Sequence, residues 1–168
     1  YLLALYLGQL RGTITPEQQH QYVQDIARLP NLVGQTLECD PLVEQLAGHL
    51  YHYRDFLYLG RGINYPIALE GALKLKELAY IHAEGFAAGE LKHGPIALIE
   101  PGQPVFVIVP SPRGKDSLHP KVVSNIQEIR ARGARVLAIA EAGDASVLPY
   151  ADKVFTIPLA STMMEPLL

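Results

Sequence analysis

Residues 56–95, FLYLGRGINYPIALEGALKLKELAYIHAEGFAAGELKHGP, decide the fold. Phe56-Leu57-Tyr58-Leu59 is a short apolar run closed by Gly60-Arg61-Gly62, the pattern of a buried strand leaving into a tight turn. A helix is predicted over residues 65–81, with Asn64 as its cap and Pro66 in the first turn. The Gly- and Ala-rich residues 84–89 have room for a short strand, and Gly94-Pro95 opens a helical turn to about Ile99. Strand, helix and strand in succession indicate a parallel α/β unit.

The predicted helix carries an unusual line of charge. Glu70, Lys74 and Glu77 are spaced by four and three, which places them within roughly 60° of one another on a helix. Ile67 and Leu78 flank this stripe on one side, Leu69 and Leu73 on the other, and Ala68, Ala72 and Ala79 line the far side. Only Lys76 reads as an ordinary exposed charge. A helix apolar nearly all round is expected to be buried, and buried charges are costly unless paired or used. The stripe is therefore a site candidate.

Outward from this segment the alternation continues. Residues 105–109, 136–140 and 154–157 read as strands, residues 117–132 as an amphipathic helix ended by Gly133, and Ser161 begins a helix that the chain does not finish. The strands are wholly apolar, so the expected architecture is α/β: a mostly parallel sheet covered on both faces, in three layers α/β/α. Upstream lie connecting helices. Residues 1–10 are apolar and read as the last helix of a preceding unit. Thr15-Pro16-Glu17 starts a second helix expected to stop at Leu29 before Pro30, residues 31–38 form a further short helix, and Asp40-Pro41 opens another carrying Leu42, Val43, Leu46 and Leu50 on one face.

Composition narrows the function. With 168 residues, 49% of them hydrophobic, the chain can bury one good core. Fourteen basic against 17 acidic residues, with no basic run, speak against nucleic acid or an anionic membrane as partner. The longest apolar runs fall far short of the ~20 residues that span a bilayer. The single cysteine, Cys39, excludes an internal disulfide and fits a reducing, cytoplasmic setting. The chain lacks an initiator Met and a polar tail, and reads as a piece of something longer.

Few motifs carry chemistry. Gly60-Arg61-Gly62 is not a dinucleotide fingerprint, because Tyr65 stands where the third glycine belongs, and no Gly-Lys-Ser/Thr is present. It is either a plain tight turn or part of a pocket at the carboxyl end of the sheet, where open α/β sheets bind ligands. His49 and His52 have no Cys, Asp or Glu at ligand spacing and read as surface histidines, not metal ligands. The stripe has two readings. Its charges are helix-stabilising ion pairs, or a lysine between two carboxylates keeps a base ionised, able to take a proton beside a carbonyl or imine carbon and return it to the neighbouring carbon. His93, just before Gly94-Pro95, is a loop histidine bonded to backbone or an acid/base poised on a loop, with His82, Glu84 and Glu90 available to orient it.

LGRG at residues 59–62, YPIALEGALKLKELAYIHAEGFAAGELKHGP at 65–95, PVFVIVP at 104–110 and NIQEIRARGARV at 125–136 resemble the second sugar-isomerase (SIS) domain of the isomerising glutamine:fructose-6-phosphate aminotransferases. The resemblance covers nearly the whole chain. It implies a flavodoxin-like SIS domain over residues 39–168, truncated at its C-terminus, with residues 1–38 as the tail of the first SIS domain and a helical connector. In that family fructose 6-phosphate and glutamine-derived ammonia become glucosamine 6-phosphate without metal or organic cofactor. By resemblance, Glu77 is the base that moves the proton between C1 and C2. His93 is the ring-opening acid/base, contributed across subunits of a homo-oligomer, and Lys74 and Glu70 are charged members of the same constellation. The resemblance further implies a cytoplasmic enzyme. The family's glutaminase domain, the Ser/Thr-rich phosphate loop of its first SIS domain and its C-terminal lysine are not in this sequence, so these residues alone are expected to be inactive.

Two other classes fit an SIS domain: a sugar-phosphate-sensing module of a transcriptional regulator, and a related sugar-phosphate deaminase or isomerase that never used glutamine. The first has no need of Glu77, and no DNA-binding helix-turn-helix is evident. The sequence upstream of Tyr1 separates all three.

Overall fold

The computed structural model describes residues 1–114 and 118–168. Three helices come first: α1 (Leu2–Leu10), α2 (Pro16–Thr36) and α3 (Asp40–Leu50). The α/β unit then runs β1 (Asp55–Gly60), α4 (Asn64–Ala79), β2 (His82–Ala87), β3 (Pro104–Ile108), α5 (Leu118–Ala131), β4 (Arg135–Glu141) and β5 (Lys153–Ile157). All strand pairs are parallel, in the order β2-β1-β3-β4-β5. The expected mostly parallel three-layer fold is the one formed, in the flavodoxin-like strand order.

The layers follow from chain direction. From β1 the chain moves to one edge through β2, and from β3 it moves to the other through β4. Right-handed crossovers in opposite directions put their helices on opposite faces, and α4 and α5 are so placed. On the α5 face, Leu57, Leu59, Val105, Val107, Val136 and Ala138 pack with Val122, Ile126 and Ile129. On the other face, Phe56, Tyr58, Phe106 and Phe155 pack with Leu46 and Leu50 of α3 and with Ala68 and Ala72 of α4. Successive residues of β1 thus serve both cores, which is why the strand reads as unbroken apolar sequence.

Several expected boundaries shift. Pro30 does not stop α2, and residues 31–38 are not a separate helix: α2 continues to Thr36, followed by a 3₁₀ turn at Leu37–Cys39. A mid-helix proline forfeits one backbone hydrogen bond, at a cost of ~3 kcal/mol. Burial on both sides of it offsets this: Asp25 and Leu32 are buried, and they line one small cavity with Ala160, Ser161 and the buried Met164. Thr15 caps α2 as expected, in a reciprocal box with Gln18. Asn64 is not the cap of α4; it is the first helical residue, with Ile63 before it. The uncertain strand is real, but it starts earlier, at His82, and residues 88–93 form a 3₁₀ helix (Ala88–His93). The expected helix start at Ser117 lies outside the described residues. Ser161 begins turns and then a 3₁₀ helix at Glu165–Leu167, not an α-helix. At the end of α4, Tyr80 takes a left-handed conformation, φ 56°, and its N–H donates to the Lys76 carbonyl. That reversal turns the chain into β2.

Candidate functional site

The structure brings Glu70, Lys74 and Glu77 together. Lys74 Nζ donates to Glu77 Oε2 at 2.8 Å and lies 3.4 Å from Glu70 Oε1, so one cation is shared by two carboxylates on successive turns. The Lys74 ammonium is held above its usual pKa by the hydrogen bond to Glu77 and then by the one to Glu70. Lys74 therefore keeps its positive charge at neutral pH.

Its setting differs from expectation. α4 is not a buried helix: it buries only Asn64, Ala68 and Ala72, the small residues that face the sheet. Close approach is enforced at Gly85, where a Cβ would come within 3.1 Å of the Leu69 Cα. The outer face stays open. About half of each charged side chain is accessible, and Leu69, Leu73 and Leu78 are exposed beside them. The outer face of α4 is thus a mixed apolar and charged surface.

His93 is elsewhere. It ends the 3₁₀ helix after β2, its imidazole is 75% exposed, and its Nε2 stands 4.0 Å from Glu90 Oε2, beyond hydrogen-bond reach. Glu77 is in the last turn of α4, before β2 begins, and His93 follows the end of β2. The six residues of that strand separate them by ~17 Å along the sheet. His82 and Glu84 do not orient His93. His82 bonds Asp55 Oδ1 at 2.5 Å through Nδ1, at the opening pair of β1 and β2, and Gln103 holds the other Asp55 oxygen. Both His82 and Glu84 point to the side of β2 away from Ala83, which packs under α4.

A second polar cluster, absent from the sequence reading, lies at the carboxyl ends of β3 and β4. Arg113 grips Glu141 with two bonds, Nε to Oε1 at 2.8 Å and Nη2 to Oε2 at 2.7 Å, and Ser111 Oγ donates to Glu141 Oε2 at 2.6 Å. Arg113 also donates to the Ala160 carbonyl, which ties the loop after β3 to the chain after β5. Burial pushes the Glu141 carboxyl up, but Arg113 and Ser111 outweigh it and hold it below the usual range. Beside it His119 Nε2 meets Asp144 Oδ2 at 2.7 Å, and Ser146 Oγ donates to Asp144 Oδ1 at 2.5 Å. Burial raises Asp144 and its bonds to Ser146 and His119 lower it, with a net result below the ordinary value. This is not a nucleophilic triad. Ser146 and Asp144 approach the same ring nitrogen, so the imidazole cannot relay a proton between them. The available signal was position: Ser111 follows β3 closely and Glu141 ends β4, at the ligand-binding end of such sheets.

On the α3 side of the sheet, an apolar groove of about 560 Å³ runs past Cys39, Leu46, Tyr58, Leu75 and Phe155. It offers almost no polar group for catalysis. Cys39 is half-buried on its wall. Among the described residues no group of three His, Cys, Asp or Glu side chains is placed to hold a metal, and no helix is long and apolar enough to cross a membrane.

Comparison with known proteins agrees with this architecture. The family model described as "SIS domain" matches residues 49–163. The chain is 66% identical over 168 residues to the isomerising glutamine–fructose-6-phosphate aminotransferase of Leifsonia xyli subsp. xyli, covering all of this chain and 27% of that protein. It is 59% identical over 167 residues to the corresponding aminotransferase of Streptomyces coelicolor, covering 99% of this chain and again 27% of the relative. Among solved structures, the C-terminal domain of glucosamine-fructose-6-phosphate aminotransferase from Francisella tularensis superposes with a TM-score of 0.87 at 33% identity, covering 98% of this chain and 45% of that one. The chain thus spans about a quarter of the length of these curated relatives. A parallel five-stranded sheet in flavodoxin-like order, matched by the family model across nearly the whole α/β unit, establishes that the chain belongs to the SIS domain family.

Proposed function

We propose that this chain is the second SIS domain in the isomerase half of an isomerising glutamine:fructose-6-phosphate aminotransferase. The reading is supported by the relatives it resembles and, within the structure, by one observation above all: Lys74 bridging Glu70 and Glu77 on an open, leucine-flanked face of α4. In this reading residues 39–168 form the SIS unit and residues 1–38 are the tail of a first SIS domain and its connector. The matched span falls inside the former. The open face of α4 meets the rest of a longer chain, which brings the first SIS domain and a glutaminase domain, in a cytoplasmic homodimer.

The chemistry assigned to each residue follows from charge and position. Ammonia condenses with the keto carbon of open-chain fructose 6-phosphate, releasing water and leaving an imine at C2. The Glu77 carboxylate removes a proton from C1 while the imine nitrogen gains one, giving an enolamine, and returns a proton to C2 while the C1 hydroxyl loses its own, giving the 2-amino aldehyde of glucosamine 6-phosphate. Lys74 sets a positive charge 2.8 Å beside the base, and Glu70 fixes Lys74 from the other side. His93 serves ring opening. Because a strand's length separates it from Glu77 in its own chain, it would act in the partner's site. No cofactor is needed, since every step is a proton transfer or a condensation.

The test is product formation. The full-length protein, given fructose 6-phosphate and glutamine in deuterated water, should yield glucosamine 6-phosphate, with some deuterium at C2 if the Glu77 proton exchanges with solvent. Hydrolysis of glutamine with no amino sugar formed, in a protein shown to be assembled, would refute the assignment.

A further inference from the structure

His93 ends the 3₁₀ helix Ala88–His93 with its imidazole exposed, and Glu90 stands too far away to hold the ring. Gly94 follows at φ 144°, a conformation open to glycine that leaves the next turn free of side-chain restraint. An acid/base so placed keeps one position only if the backbone on either side of it is anchored. The anchors come from α5.

Ala88 and Leu91 are fully buried and share one core with Val122, Ile126 and Ile129 of α5, so packing fixes the chain before His93. On the flank of that core Glu128 and Arg132 are four apart and lie on one face. Both reach the segment that carries His93. Lys92 Nζ stands 2.9 Å from Glu128 Oε1, and Arg132 Nη1 donates to the Ile96 carbonyl at 3.2 Å. His93 lies between these two ties, next to the first. The Glu128 tie is the firmer one. The Glu128 side chain is only 24% exposed, its Oε2 is buried without a partner among the described residues, and Ser124 Oγ comes no closer than 3.5 Å to Oε1. A largely buried carboxylate with so little else to satisfy it depends on its cation. Lys92 is therefore held against α5, and the backbone of His93 with it.

We infer that Glu128 is a positioning residue for His93: through Lys92 it fixes residues 88–96 on α5 and sets where the imidazole is presented. The inference rests on the reading of His93 as the ring-opening acid/base and deepens it. Ring opening breaks the C2–O5 bond of fructose 6-phosphate; O5 gains a proton and the C2 hydroxyl loses one. Such an exchange demands a closely placed group. The proton transfer between C1 and C2 assigned to Glu77 involves no ring oxygen and does not depend on the clamp. Loss of the clamp should slow ring opening alone.

The experiment compares two substrates in the full-length protein. One is fructose 6-phosphate; the other is 5-deoxyfructose 6-phosphate, which has no 5-hydroxyl, cannot close to a furanose and enters as the open ketone. With Glu128→Ala, synthesis from fructose 6-phosphate should fall about 10- to 100-fold, while amino-sugar formation from the 5-deoxy compound stays within about twofold of wild type. Lys92→Met removes the other end of the tie at an exposed side chain and should give the same split. Glu128→Gln keeps an acceptor for Lys92 and should recover most of the loss. Hydrogen exchange in Glu128→Ala should be about tenfold faster over residues 88–96, with the rest of the domain unchanged. Equal loss with both substrates, no loss with either, or unchanged exchange over residues 88–96 would overturn the proposal and leave the isomerase reading standing. No amino sugar from the wild-type protein with either substrate would refute that reading, and the role of Glu128 with it.

Discussion

Lys74 Nζ stands 2.8 Å from Glu77 Oε2 on the exposed face of α4, so the proposed base is held by a cation that contributes little packing of its own. Replacing Lys74 by Gln should therefore separate function from folding. In the full-length protein we expect amino-sugar synthesis to fall by roughly 10- to 100-fold, part of the 10²–10⁴ a positioned base contributes, while the thermal midpoint stays within about 3 °C. Paired activity and unfolding measurements check this. The raised pKa of Lys74 has a defined sign. Its contribution to stability is present below the unfolded lysine value and is lost only as pH rises through the higher folded one, so Lys74 stays charged across the neutral range.

The βαβ core showed through because Phe56–Leu59 and Val105–Val109 are apolar without relief and are closed by Gly-containing turns. Thr15-Pro16 marks the start of α2, but nothing local marks its end, because Pro30 is a local signal and the burial of Leu32 is not. Spacing alone marks the stripe but not its exposure. A helical wheel shows which residues share a face, not whether a second surface covers it, and Leu69, Leu73 and Leu78 are open. The Glu141–Arg113 pair joins residues 28 apart, and no periodicity connects them.

That pair sets the acid stability of the fold. Glu141 is 5% exposed with its pKa held down, so its contribution is present above the ordinary carboxylate range and is lost as pH falls through the lower folded value. Arg113→Ala leaves the buried carboxylate uncompensated and should cost about 2–3 kcal/mol, discounted from the fully buried case because Arg113 is half-exposed. Ser111→Ala should cost about 1 kcal/mol. Urea unfolding at neutral and acid pH checks both values, with the differences shrinking in acid.

Gly60 is irreplaceable on geometric grounds. A Cβ there would lie 2.1 Å from the Asn64 carbonyl oxygen, a backbone atom that cannot swing away, so Gly60→Ala should cost upwards of about 3 kcal/mol or prevent folding. Tyr80→Gly should act in the opposite direction. Its left-handed φ of 56° costs a non-glycine residue ~1 kcal/mol, and the ring is 93% exposed, so thermal unfolding should show a gain of up to that amount, reduced by glycine's greater freedom when unfolded.

The separation of His93 from Glu77 carries its own consequence. If the two act in one site supplied by different chains, co-assembling a His93→Ala protein with a Glu77→Gln protein should restore up to about a quarter of the wild-type synthesis, because half the dimers are mixed and each has one intact site. No recovery in heterodimers shown to form would place both residues in separate roles.

The central claim is that Glu77 moves the proton, and one substitution bears on it most directly. In the full-length protein Glu77→Gln keeps the side chain's size and removes its basicity at a surface position that α4 does not need for packing. Amino-sugar synthesis should fall by about 10²-fold or more, with glutamine hydrolysis and the thermal midpoint essentially unchanged. Retention of synthesis in Glu77→Gln, or equal loss of both activities with the fold intact, would contradict Glu77 as the base.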